Sequence, residues 1–84
     1  MHYVYVLWSK ADKKFYIGYT DNLKRRINEH NAGKVHTTVR FGNPQLIFFE
    51  AFLSRRDAQR REKYFKTTKG KKALWLMLRE SIQS

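Results

Sequence analysis

Two short aromatic-rich runs at the start of the chain constrain its fold more than any other feature. Residues 2 to 8 alternate, with Val4, Val6 and Trp8 on one face and Tyr3, Tyr5 and Leu7 on the other, which is the period-2 pattern of a strand. Phe15 to Thr20 is again rich in aromatic and β-branched residues, and the short polar turn Ser9 to Lys14 between the runs implies an antiparallel hairpin. If Trp8 pairs with Phe15, the register places Tyr5 opposite Gly18, with Tyr16 diagonal to both on the same face. An apolar face does not need those phenols, because Val, Ile or Phe would fill it without a hydroxyl that must find a partner when buried. Tyr5 and Tyr16 therefore invite a chemical explanation.

The rest of the chain reads as helices around one more strand. Asp21 is the expected N-cap of a helix running to about His30, with Leu23 and Ile27 one turn apart and Gly33 as its stop signal. Arg26 and His30 are also one turn apart, so they stack along one edge of that helix beside the apolar stripe. Lys34 to Gln45 reads as a polar loop holding His36, Thr37, Thr38 and Arg40, and Leu46 to Leu53 as a third strand. Ser54 and Asp57 have the spacing of a capping box opening a helix from Arg55 to about Lys66. The apolar stripe of that helix is sparse, marked by Ala58 and Phe65, and Glu62 lies on it. An ion pair with a neighbouring arginine or Lys66 would explain this carboxylate without any function. Lys71 to about Ile82 reads as a last helix, with Leu74, Leu78 and Ile82 at helical spacing and Trp75 beside them. Lys69, Lys71 and Lys72 crowd its start, where the macrodipole disfavours cations; either a nearby anion or a solvated helix end accounts for them.

Composition narrows the class. A chain of 84 residues without repeat or linker is expected to form a single domain, 1–84. It has no cysteine, so neither disulfides nor a thiolate zinc site can supplement the core. No apolar run approaches the roughly 20 residues of a membrane span, and the expectation is a soluble, untargeted protein of the cytoplasm. The formal charge of +11 and aromatic content of 15% favour nucleic acid as partner over a merely solubilising coat. Membrane-surface binding is disfavoured, since the cations are spread over several segments and not gathered opposite one clean apolar helix face.

Taken in order, these residues resemble the GIY-YIG nuclease superfamily over nearly the whole chain, and most closely its short stand-alone bacterial members. The matching segments are Tyr3-Val4-Tyr5, Tyr16-Ile17-Gly18, Leu23-Lys24-Arg25-Arg26 with Glu29-His30-Asn31, and Arg61-Glu62-Lys63. Two positions depart from the superfamily pattern. Tyr3 replaces the glycine of the first triplet, and Tyr19 stands where excision-repair members carry a lysine, which would leave less positive charge beside the phenols.

The resemblance implies an α+β fold, a small three-stranded antiparallel sheet flanked by helices, and a metal-dependent endonuclease acting on DNA in repair, recombination or defence. It implies Tyr5 and Tyr16 as active-site tyrosines, Arg26 as the phosphate-contacting arginine, His30 as an auxiliary proton or phosphate ligand, and Glu62 as the ligand of Mg²⁺ or Mn²⁺. One carboxylate suffices for Mg²⁺, which keeps waters and substrate oxygens in its shell. A phenol of pKa near 10 needs neighbouring cations to act as a base; Arg26 and the metal are the expected sources, with Tyr5 as base and Tyr16 orienting water, or the reverse. Gly18 would let the substrate backbone approach the strand. His36, Thr37, Arg40, Lys69, Lys71 and Lys72 are candidate phosphate contacts. The alternative is a catalytically weak nucleic-acid-binding module using the same basic surface. Branched, damaged, single-stranded and duplex DNA, RNA, and any oligomeric state stay open at this level.

Overall fold

A computed structural model of the chain describes residues 1–33 and 44–83. The period-2 runs form the hairpin β1 (His2–Ser9) and β2 (Lys14–Thr20), followed by α1 (Leu23–Asn31), β3 (Gln45–Phe52), α2 (Arg55–Phe65), α3 (Thr68–Met77) and the short α4 (Arg79–Gln83). The strands make one antiparallel sheet in the order β2-β1-β3. Trp8 pairs with Phe15, and the register then sets Tyr5 opposite Gly18 as expected. The β1–β3 register shifts between Val6 and Leu7, a local irregularity that the sequence pattern did not announce.

Alternation divides the sheet into two faces with different contents. Val4, Val6 and Ile17 join Ala58 and Phe65 of α2, Leu74 of α3 and Leu78 in one buried apolar cluster. The other face carries Tyr5, Tyr16 and Gly18 and meets α1 where Arg26 and His30 reach the Tyr5 hydroxyl. Central strand β1 is therefore buried on both sides from Val4 to Ser9.

Helix ends differ from the sequence reading in four places. Asn22, not Asp21, caps α1: its extended backbone lets Oδ1 accept from the Arg25 N–H at 3.1 Å. Asp21 instead pairs with the Arg25 guanidinium at 3.6 Å. Ser54 stands at the N-cap of α2 without a side-chain capping bond, and Asp57 turns to Arg60 at 3.0 Å, so no capping box forms. The third helix starts at Thr68, ahead of the lysines, because the Thr67 hydroxyl accepts from the Gly70 N–H at 3.0 Å. It also ends at Met77, where Leu78 leaves helical geometry at φ −112° and ψ 16°. Gly33 fulfils its stop role with φ 73°, a left-handed conformation that glycine adopts without steric cost.

Candidate active site

Alternation along the hairpin and the helical repeat of α1 bring four side chains together. Tyr5, 1% exposed, projects from the central strand toward α1. The Arg26 Nε donates to its hydroxyl at 3.3 Å, and the hydroxyl lies 3.0 Å from His30 Nε2. Arg26 and His30 are one turn apart, so a single helix edge supplies both partners. With Arg26 donating, the phenol hydrogen is left for His30, whose Nε2 accepts when the imidazole proton is on Nδ1. Tyr16 closes the cluster, its ring centroid 5.2 Å from His30 and 6.3 Å from Tyr5.

The electrostatics run against a ready-made phenolate. Burial raises the Tyr5 pKa to about 12, outweighing the Arg26 hydrogen bond that pulls it down; Tyr16 and Glu62 add smaller upward pushes. The expectation that cations would tip this phenol toward ionisation therefore meets a desolvation cost larger than the guanidinium's help. His30 is shifted down, first by burial and then by the Arg26 charge, with Glu29 opposing. It is held neutral, in the form that accepts a proton. Arg26 is shifted up, chiefly by its bond to Tyr5, and its Nη1 also donates to Glu29 at 3.2 Å.

Gly18 has a different role from the one expected. A Cβ there would collide with Cζ and Oη of Tyr5 and lie 2.8 Å from its Cε1. The space a side chain would fill holds the phenol, not an approaching substrate backbone. Position 19 also differs in meaning. Tyr19 packs against the apolar cluster on the other face, its hydroxyl 2.7 Å from His2 Nδ1, so its identity does not set the charge beside the phenols.

Glu62 stands on α2 between buried Ala58 and Phe65 with its side chain 21% exposed, and Lys66 donates to Oε2 at 3.2 Å. That pair fulfils the ion-pair alternative, yet Lys66 is largely solvated and such pairs hold a carboxylate weakly. The Glu62 charge is also felt at Tyr5 without a hydrogen bond to it. Among the described residues no three His, Cys, Asp or Glu side chains gather; a Mg²⁺ completed by water and phosphate oxygens fits a lone carboxylate of this kind. Next to it, Arg61 grips Glu50 of β3 through Nε at 2.9 Å and Nη2 at 3.4 Å, with its guanidinium 4.3 Å from the Phe65 ring centroid. This clasp ties α2 to β3 at the position beside Glu62. The sequence reading assigned no task to Arg61, Glu50 or Glu29; the i,i+3 spacing of Arg26 and Glu29 was the available signal.

The other candidates lie apart. Lys69, Lys71 and Lys72 are exposed on the first turns of α3, whose buried residue Leu74 packs into the apolar cluster on the far face of the sheet. His36, Thr37 and Arg40 fall outside the described residues. Among the described residues no helix is long and apolar enough to cross a membrane.

Comparison with known proteins identifies the family. A model of the GIY-YIG catalytic domain matches residues 1–74. A UPF0213 protein of Clostridium perfringens is 40% identical, the match covering 99% of this chain and 89% of that one. The UPF0213 protein YazA of Bacillus subtilis is 40% identical, with 89% and 77% covered. The solution NMR structure of the UPF0213 protein BH0048 from Bacillus halodurans superposes with a TM-score of 0.57 at 38% identity, covering 92% of this chain and 83% of that one. By sequence and by fold, then, this chain belongs to the GIY-YIG family, whose catalytic domain is a nuclease fold.

Proposed function

We propose that this protein is a metal-dependent endonuclease hydrolysing DNA phosphodiester bonds, serving repair, recombination or defence, and forming a single catalytic domain. The observation that carries the reading is the hydrogen-bond chain from Arg26 through Tyr5 to His30. A phenol held near pKa 12 is a weak acid and cannot wait as a phenolate at neutral pH. It can pass a proton on: as water attacks phosphorus, its proton moves to the Tyr5 oxygen while the phenol hydrogen moves to His30 Nε2. Neutral His30 is the terminal acceptor; its lowered pKa keeps the nitrogen free of a proton beforehand, at a cost in basicity. Tyr16, on the rim of the same cluster, orients the water or contacts the phosphate. Arg26 lends positive charge to the phosphate oxygens as negative charge builds in the transition state.

Glu62 would hold the metal, Mg²⁺ or Mn²⁺, exchanging its exposed partner Lys66 for it. Such an ion polarises the phosphoryl oxygens and lowers the pKa of bound water. Lys69, Lys71 and Lys72, with His36, Thr37 and Arg40 of the α1–β3 connection, are proposed to hold flanking phosphates. The raised Tyr5 pKa and the occupied Glu62 carboxylate also favour a second reading, a nucleic-acid-binding module of slight hydrolytic power.

A panel of labelled linear, branched and single-stranded DNAs, incubated with Mg²⁺, Mn²⁺ or chelator, separates the two. Metal-dependent products that fall by at least about a hundredfold in Tyr5→Phe and Glu62→Gln, typical of losing an acid–base group, are the expected result. Salt-sensitive binding with no products on any substrate would replace the nuclease with the binding module.

A further inference from the structure

We infer that Trp75, on the opposite face of the sheet from the phenols, is a stacking platform for an unpaired base of single-stranded DNA, with the cations around it holding the adjoining phosphates. The inference rests on the nucleic-acid reading above but not on catalysis. Trp75 is 44% exposed, although Leu74 and Leu78 already fill the core beside it at 0% and 6%. Its ring centroid lies 5.3 Å from Trp8 and 5.3 Å from Phe15, and those two rings are 5.0 Å apart. Two strand residues thus brace the indole at crossed ring angles of 84° and 60°. An aromatic surface already fixed in position loses little further freedom when a ligand stacks on it.

The surroundings suit a polyanion. Lys71 lies one turn before Trp75 on α3 with Lys72 beside it, and Arg79 opens α4 two residues after the end of α3; all three are exposed. Trp8 and Phe15 are the hairpin pair next to Ser9 and Lys14, so the tip with Lys10, Lys13 and Lys14 begins one residue pair from the platform. Lys13 takes φ 53°, where glycine or asparagine would be less strained. Only Asp12 and Glu80 oppose these cations within the same segments.

Three considerations choose the occupant. A paired base has both faces covered by its neighbours, whereas an unpaired one offers a free π-face. Leu76 and Met77 are exposed nearby, at 69% and 48%, and could invite a second copy, but bringing together two such cationic surfaces on molecules of charge +11 is repulsive. Finally, the Trp8–Phe15 pair adjoins the Leu7–Tyr16 pair at edge strand β2. A single strand rounding that edge would meet Tyr16 on one face and Trp75 on the other.

The test is a titration of the protein with a short oligothymidylate in chelator, followed by tryptophan emission. Trp8 is buried, so quenching reports Trp75, and Trp8→Phe should quench to at least the same fraction. Trp75→Leu should abolish quenching and weaken binding about fivefold or more, the low end for one base on an aromatic ring, while duplex of equal length binds both proteins alike. Unchanged emission at saturating oligothymidylate overturns the platform, and this readout needs no variant to fold. Equal affinity of wild type and a folded Trp75→Leu overturns it too, as do tighter binding of oligouridylate or emission that changes with protein concentration alone. Tyr5→Phe and Glu62→Gln should keep the quenching, so a failed nuclease reading leaves this result distinct.

Discussion

The two faces of this sheet are built from the same strands and do opposite things with burial. On one, Val4, Val6 and Ile17 meet Ala58, Phe65, Leu74 and Leu78, and removal of apolar surface from water stabilises the fold. On the other, a phenol of β1, 1% exposed, and a histidine of α1, 8% exposed, are buried against each other with an arginine of α1 as partner. There burial costs free energy whenever a group ionises, and the hydrogen bonds among the three keep them neutral or paired. One face therefore supplies stability, and the other uses part of it to hold groups in chosen protonation states.

Removing the Phe65 ring breaks the comparison most severely. It is fully buried at the centre of the apolar face, with Phe48 edge-on at 6.3 Å. Phe65→Ala should cost about 3–5 kcal/mol, a large part of the roughly 5–15 kcal/mol available to a small domain. Urea unfolding should show a much lower midpoint at unchanged slope. The phenol cluster should disappear in the same transition, since it has no separate source of stability.

The polar face is probed by pH, where the two groups act at opposite ends. Folding raises Tyr5 from about 10 to about 12, so between those values the folded chain keeps a proton that the unfolded chain has lost. The contribution of this phenol is complete below pH 10 and declines as pH rises toward 12, by up to ~2–3 kcal/mol. Tyr5→Phe should flatten that part of the alkaline stability curve. His30 works the other way. Its folded pKa is lowered, so below about 6.5 the unfolded chain takes up a proton first and stability falls with pH. His30→Gln should remove that acid-side slope while sparing the alkaline one; if both slopes survive their substitutions, the polar face does not hold these groups as described.

The contrast between the faces was partly legible in the sequence. Period-2 alternation fixes which residues share a face, and it delivered the Tyr5–Gly18 and Trp8–Phe15 pairs; the helical repeat likewise placed Arg26 and His30 on one edge. Periodicity says nothing about what occupies the space above a residue. For that reason Gly18 looked like an opening for substrate when it is the seat of the Tyr5 ring. Tyr19 is a different case: the alternation itself turns it to the face opposite the phenols, so counting parity would have removed it from their neighbourhood. The sign of the Tyr5 shift was equally hidden, because a guanidinium lowers it and burial raises it, and only the depth of burial decides. Helix ends were the least legible. Asp21 and Asn22 are both good caps, and which one caps depends on a backbone dihedral that composition does not encode.

That last ambiguity gives the smallest effect and the finest test of how α1 holds the polar face. Asn22 closes the first turn twice, its Oδ1 accepting from Arg25 N at 3.1 Å and its carbonyl from Arg26 N at 3.1 Å. Asn22→Ala removes the side-chain bond and should cost about 1 kcal/mol. Asp21→Ala removes only a solvated pair with Arg25 at 3.6 Å and should cost a few tenths of that, screened away by salt. Because Arg26 sits within this turn, Asn22→Ala should also loosen its hold on Tyr5 and let the phenol titrate differently. Phenolate absorbance would then shift in Asn22→Ala and stay put in Asp21→Ala. Equal stability losses, or a shift in neither protein, would show that the phenol is held by the sheet and not by the helix that covers it.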